Sequence, residues 1–141
     1  EHSIRVPLMI SGPDIDQNKT IETDVYVQDV MPTVLELAKI SKPEYVDFHS
    51  LIPLTKGKKG RLASVYGAYT MRQRMIRADG FKLIAYPSAN KLRLYNLEND
   101  PFEMNDLSND PSFAKKKDDL WQELLALQKK MNDPLNLEAY F

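Results

Sequence analysis

The sequence predicts an α+β fold: a C-terminal antiparallel β-meander of three to four strands packed by a long C-terminal helix. Three observations carry that expectation. In "MIRADGFKLIAY", residues 75–86, Asp79-Gly80 joins two runs of alternating apolar residues, the pattern of a tight hairpin. "KLRLYNL", residues 91–97, alternates again after the turn-forming "PSAN". From Asp110 onward, Phe113, Leu120, Leu124, Leu127 and Met131 recur on one stripe, widened by Trp121 and Leu125.

The elements follow in order. "SIRVPLMISG", residues 3–12, is a short apolar run rich in branched residues, expected as a buried strand stopped by Gly12-Pro13. Pro7 lacks an amide donor and places that strand near an edge or a strand start. Residues 13–23 are polar and read as a loop. "DVMPTVLELAKI", residues 29–40, sets Met31, Val34, Leu35 and Ala38 at helical spacing, with Asp29 as N-cap, Pro32 in the first turn and Ser41-Lys42-Pro43 as the end. "HSLIPLTKGKKGR" dissolves into Lys and Gly and is read as a connector, which divides the chain into residues 1–60 and 61–141. "SVYGAY", residues 64–69, reads as a strand preceding the hairpin. In the last helix Asp110 caps, Pro111 suits the first position and Asn132-Asp133-Pro134 terminates. Its apolar stripe needs a partner, and the meander's apolar face supplies one.

Composition narrows the function classes. The 141 residues are 43% hydrophobic and 28% charged, which is globular, and the net charge of −1 gives no field to attract nucleic acid. No apolar run approaches the roughly 20 residues needed to cross a bilayer. Without cysteine there is no disulfide, thiolate nucleophile or thiolate metal site. The opening "EHSIRVPLMIS" has neither an initiator Met nor a basic leader, and is read as an internal stretch of a longer protein.

Few constellations carry chemistry. "LYNLENDPFEMNDLS", residues 94–108, crowds Glu98, Asn99, Asp100, Glu103, Asn105 and Asp106 together, but a calcium loop needs a central Gly that is absent here. Asn, Asp and Pro turning the chain from strand to helix, with their oxygens capping amides, is the better reading. His49 and Ser50 are adjacent and point to opposite faces, so they form no nucleophile pair. Lys56, Lys58, Lys59 and Arg61 form one basic cluster. Arg72, Arg74 and Arg77, near Tyr66 and Tyr69, form another. A solvated loop and strand face is the favoured reading of both, with an anion or sugar-sulfate surface, or a weak nucleic-acid face, as the functional one. From the residues alone, this is an α/β or α+β piece without a complete active site.

Five stretches taken together resemble one family. "EHSIRVPLMISGP", "VQDVMPTVLELAKI", "SLIPL", "RMIRADGFKLIAYP" and "LYNLENDPFEMNDLS" occur in the order found in bacterial type I, formylglycine-dependent sulfatases of the alkaline-phosphatase superfamily. The last two resemble the C-terminal subdomain of those related to N-sulfoglucosamine sulfohydrolase, and the likeness covers residues 1 to about 130. It implies that residues 1–60 are the tail of a larger α/β catalytic domain, contributing a strand and a helix, and that 61–141 are the C-terminal subdomain.

The same resemblance implies a parent that hydrolyses sulfate esters of carbohydrate, carries calcium and a formylglycine, and is exported to the periplasm or beyond. The family's Cys/Ser-x-Pro-x-Arg motif is missing: Ser11-Gly12-Pro13 and Ser41-Lys42-Pro43 run on into Asp14-Ile15 and Glu44-Tyr45. No catalytic residue and no cofactor is therefore expected in this chain, which alone is expected to be inactive. Its partners are the missing N-terminal sulfatase domain and, through the parent, a sulfated small molecule or glycan. Neither nucleic acid nor membrane is implied, and exposed faces predict a homodimer in isolation. His2, Arg72 and Arg74 are the expected substrate contacts at the pocket mouth. Two other readings stand beside this one: a fragment of a phosphatase or phosphodiesterase relative, and a free-standing anion- or glycan-binding module.

Overall fold

The computed structural model describes residues 1–141 except 14, 59 and 61. Two compact units divide the chain: Arg5–Leu62, and Glu1–Ile4 with Ala63–Phe141. No helix among the described residues is long and apolar enough to cross a membrane.

The larger unit is the α+β element. Strands β1 (Val65–Tyr69), β2 (Gln73–Ala78), β3 (Phe81–Tyr86) and β4 (Lys91–Asn96) form one antiparallel sheet in sequential order. The β2–β3 hairpin closes on two residues of positive φ, Asp79 at 48° and Gly80 at 73°. That is the mirror-image turn whose twist matches the flanking strands. Between β3 and β4 the Pro87–Ala89 turn ends on left-handed Asn90 (φ 45°).

Register then builds the core. Ile76 faces Leu83, and Leu83 faces Leu94, across three strands, and all three are fully buried. Helix α3 (Ala114–Lys130) lays Leu120 and Leu124 on that row. Each such side chain contributes about 1.5–3 kcal/mol on burial. Asp110 accepts the amide of Ser112 at 2.9 Å, and a short turn, Pro111–Phe113, leads into the helix. At the far end Asn132 turns left-handed (φ 51°). Its amide bonds the carbonyl of Lys129, while Asp133 N–H reaches Gln128. These are the paired hydrogen bonds of a Schellman stop.

Two details of the predicted stripe are corrected. Met131 lies at the end of α3 and is exposed, because the helix has already turned away. Gln128 takes the buried place instead, since its side-chain amide donates to the carbonyl of Leu135 and so is satisfied.

The smaller unit departs more from expectation. Residues 3–12 join no strand ladder among the described residues, and Val6, Leu8 and Met9 are exposed. An apolar run fixes burial tendency, but a strand also needs a neighbour to receive its amides. Helix α1 (Val30–Leu37) forms where predicted, yet it buries Pro32 and Thr33 rather than Met31 and Val34. Asp29 sits at the N-cap position without capping. Its carboxylate accepts the amides of Tyr26 and His49, both at 2.9 Å. Thr33 joins the same tie, donating to the Asp29 carbonyl at 2.6 Å and accepting from Leu51 N–H at 2.8 Å. Helix α2 (Ile52–Thr55) is a single turn beyond it.

Candidate functional site

Arg72, Arg74 and His2 all belong to the larger unit, but they share no partner among the described residues. Arg72 is exposed in the β1–β2 turn, where its amide bonds the carbonyl of Tyr69. Arg74 is 3% exposed on the helix-facing side of β2, in the alternation set by Ile76 and Ala78. His2 is exposed and stacks on the ring of Phe102, centroids 6.3 Å apart.

The arginine cluster therefore splits. Arg74 is not part of a solvated strand face, because Asp133 receives it as a bidentate pair: Nε at 2.5 Å and Nη2 at 2.7 Å. Its remaining nitrogen, Nη1, donates to the carbonyls of Thr70 at 2.6 Å and Gln73 at 2.7 Å. Those carbonyls bracket Arg72. The guanidinium thus pins from beneath the turn that presents Arg72 to solvent.

Asp133 is placed for this by the Schellman stop, and Tyr66 donates its hydroxyl to the same carboxylate. The Arg74 hydrogen bonds hold the Asp133 carboxyl down at about 2, against burial that works the other way. Burial, joined by the negative charge of Asp133, pushes the Tyr66 hydroxyl far up, so it stays a donor.

A second polar centre lies on the opposite face of the sheet. Lys82 is 5% exposed, and its ammonium donates to Glu103 at 2.6 Å and lies 3.5 Å from Glu1. Burial disfavours the Lys82 charge, but the Glu103 bond outweighs it and the group is held above its ordinary value. Burial likewise opposes ionisation of Glu103, and Lys82 overrides it.

In residues 94–108 the side-chain oxygens of Asp100 and Asp106 are taken up by backbone amides, and Glu103 by Lys82. Asp106 Oδ1 accepts the amides of Leu94 and Ser108 at 3.1 and 3.0 Å. Asp100 accepts those of Met104 and Asn105 at 3.1 and 2.8 Å. The stretch is a strand-to-helix joint. No group of three or more His, Cys, Asp or Glu residues that could hold a metal is found among the described residues.

Beside the joint lies a shallow cavity of about 250 Å³, lined by Asn90, Lys91, Leu92, Ser108, Asn109, Lys117 and Phe141. Nothing in the sequence pattern announces it, because its walls come from a turn, a strand, the joint and a helix. Of the other predicted basic cluster, Lys59 and Arg61 lie outside the described residues, and Lys56 and Lys58 are exposed.

Comparison with known proteins places this architecture. The family model described as N-sulphoglucosamine sulphohydrolase, C-terminal, matches residues 1–130. An uncharacterised protein of Haemophilus influenzae is 34% identical over 128 residues, covering 85% of this chain and 66% of that protein. The Delta 4,5-hexuronate-2-O-sulfatase of Bacteroides thetaiotaomicron is 31% identical over 122 residues, covering 78% of this chain but 25% of the enzyme. A solved 2-O GAG sulfatase superposes with a TM-score of 0.72 at 26% identity, over 87% of this chain and 29% of that one. The chain thus spans about a quarter to two-thirds of the lengths of these relatives, and it belongs to the N-sulphoglucosamine sulphohydrolase C-terminal family.

Proposed function

We propose that this chain is the C-terminal region of a sulfatase whose whole chain hydrolyses sulfate esters of carbohydrate. The observation that carries the reading is the family match over residues 1–130, joined to relatives that are named as sulfatases of hexuronate and GAG substrates. In this reading the 141 residues are a structural subdomain and one wall of the substrate pocket, and an exported parent supplies the reaction centre.

The donor set of this chain does not fit the parent's cofactors. It has no cysteine, and no described cluster of carboxylates and imidazoles is arranged for a metal. In this reading calcium and formylglycine belong to the rest of the parent. What this chain contributes is positioned charge. Arg72 offers a guanidinium to substrate oxygens, His2 offers an imidazole, and Arg74 holds the turn under Arg72 rather than meeting substrate itself.

The test is an assay of the full-length protein on sulfated disaccharides, with the same sugars phosphorylated as controls. The expected result is release of inorganic sulfate, with Arg72→Ala raising KM more than it lowers kcat, and no turnover by the 141 residues alone. Turnover of phosphate esters without sulfate esters would overturn the reading, as would hydrolysis by the isolated chain.

A further inference from the structure

The cavity beside the strand-to-helix joint has more cationic than anionic lining: Lys91 and Lys117 bring two ammonium groups, Asn90 and Asn109 bring amides, and the one carboxylate among the lining residues is the chain-terminal group of Phe141. That bias is local, since the chain as a whole carries 19 basic and 20 acidic residues. Of the carboxylates on the joint, Asp106 is committed to the amides of Leu94 and Ser108 and Asp110 to that of Ser112.

The backbone of the lining, and one of its lysines, are held in place. Asn90 is fixed in the left-handed region at the end of a proline turn, and Lys91 is registered in β4 against Tyr86. Lys117 projects from α3 and is held by donating one hydrogen bond, 2.9 Å, to the carbonyl of Ser108. An ammonium has three donors, so this bond orients Lys117 and leaves donor capacity for a ligand. The side chains of Asn90, Lys91 and Asn109 have no hydrogen-bond or ion-pair partner among the described residues, so ligand bonds there would displace only water. The Phe141 ring closes one side, steadied edge-on by Trp121 with centroids 5.1 Å apart.

We propose that this cavity binds one sulfated sugar residue, with its oxyanion on Lys91 and Lys117 and its apolar ring face against Phe141. Two ammonium groups against the one terminal carboxylate of Phe141 leave a net positive lining, which favours an anion. Amide side chains suit hydroxyl groups that both donate and accept. The volume suits one sugar ring and not a long oligosaccharide segment. The choice of sulfate over phosphate rests on the sulfatase reading above.

The experiment is a ¹H–¹⁵N NMR titration of this chain with glucose 6-sulfate, alongside glucose, inorganic sulfate and glucose 6-phosphate. Saturable shifts are expected at the amides of Asn90, Lys91, Ser108 and Asn109 with glucose 6-sulfate. Lys91→Met and Lys117→Met should each weaken the response at least tenfold while keeping the dispersed spectrum of a folded chain. Lys115→Met, at an exposed lysine of α3 outside the lining, should leave it unchanged. Absence of saturable shifts overturns the site. An equal response to inorganic sulfate overturns the sugar assignment, and a tighter response to glucose 6-phosphate overturns the sulfate assignment. Hydrolysis by the full-length protein is measured separately, so binding without sulfatase activity sinks the sulfatase reading and not the cavity.

Discussion

Arg74 and Asp133 lie 59 residues apart in sequence and meet as a bidentate ion pair inside the larger unit, with side chains 3% and 6% exposed. The pair joins the sheet to the point where α3 stops. Breaking a buried pair from one side leaves an uncompensated charge and costs about 3–5 kcal/mol. Arg74→Met is therefore expected to destabilise the larger unit by about that much in urea melts. The double variant Arg74→Met/Asp133→Asn, which leaves no orphaned charge and keeps an acceptor for the Tyr66 hydroxyl and Leu135 N–H, should recover part of it. A double variant no more stable than Arg74→Met would refute the pairing as the source.

The same carboxylate predicts an acid limb. Asp133 titrates at about 2 against an ordinary value of 3.8, so the folded chain binds fewer protons than the unfolded chain between those values. Stability from this group is fully present above about pH 4 and is lost as pH falls through 2. The difference amounts to about 2 kcal/mol. Thermal melts from pH 5 to pH 2 should show a slope that flattens, without vanishing, in Asp133→Asn. Asp100, Glu103 and Asp106 are also held below their ordinary values and act in the same direction.

The strand-to-helix joint gives a third prediction. One oxygen of Asp106 serves the amides of Leu94 and Ser108, and Leu107 N–H returns to the carbonyl of Leu94 at 2.8 Å. Asp106→Ala strands two amides at the edge of the core, at about 1–3 kcal/mol. Urea unfolding should shift its midpoint with an unchanged slope, while Glu98→Ala, on a side chain that caps no amide, should have little effect. A changed slope would mean that the joint also shapes the unfolded ensemble.

The meander and the last helix were legible because their signals are local. Asp79-Gly80 encodes both positive φ angles, Asp110-Pro111 encodes an entry, and Asn132 encodes an exit. Arg74 shows the limit. Its burial was readable from strict alternation with Ile76 and Ala78, but its partner was not, because a contact across 59 residues leaves no periodic trace. Lys82 with Glu103 and the cavity at Lys117 were hidden for the same reason. Residues 3–12 differ: their apolarity was read correctly, and among the described residues no ladder partner makes a strand of it.

The smaller unit yields the last prediction. Val27, Val30, Met31, Val34, Leu37 and Ile40 follow helical spacing along and around α1 and are all exposed, Val34 and Leu37 at 57% each. The opposite side of the helix is satisfied by the Asp29 and Thr33 hydrogen bonds. An exposed apolar stripe of this kind drives association in water, at roughly 25 cal/mol per Å² of apolar surface covered. In a solution of this chain alone the available partner is a second copy, and sedimentation equilibrium should show a concentration-dependent dimer. Val34→Lys and Leu37→Lys, both on solvent positions, should shift it to monomer without lowering the melting temperature of the larger unit. A chain that stays monomeric at high concentration would show that the stripe does not self-associate.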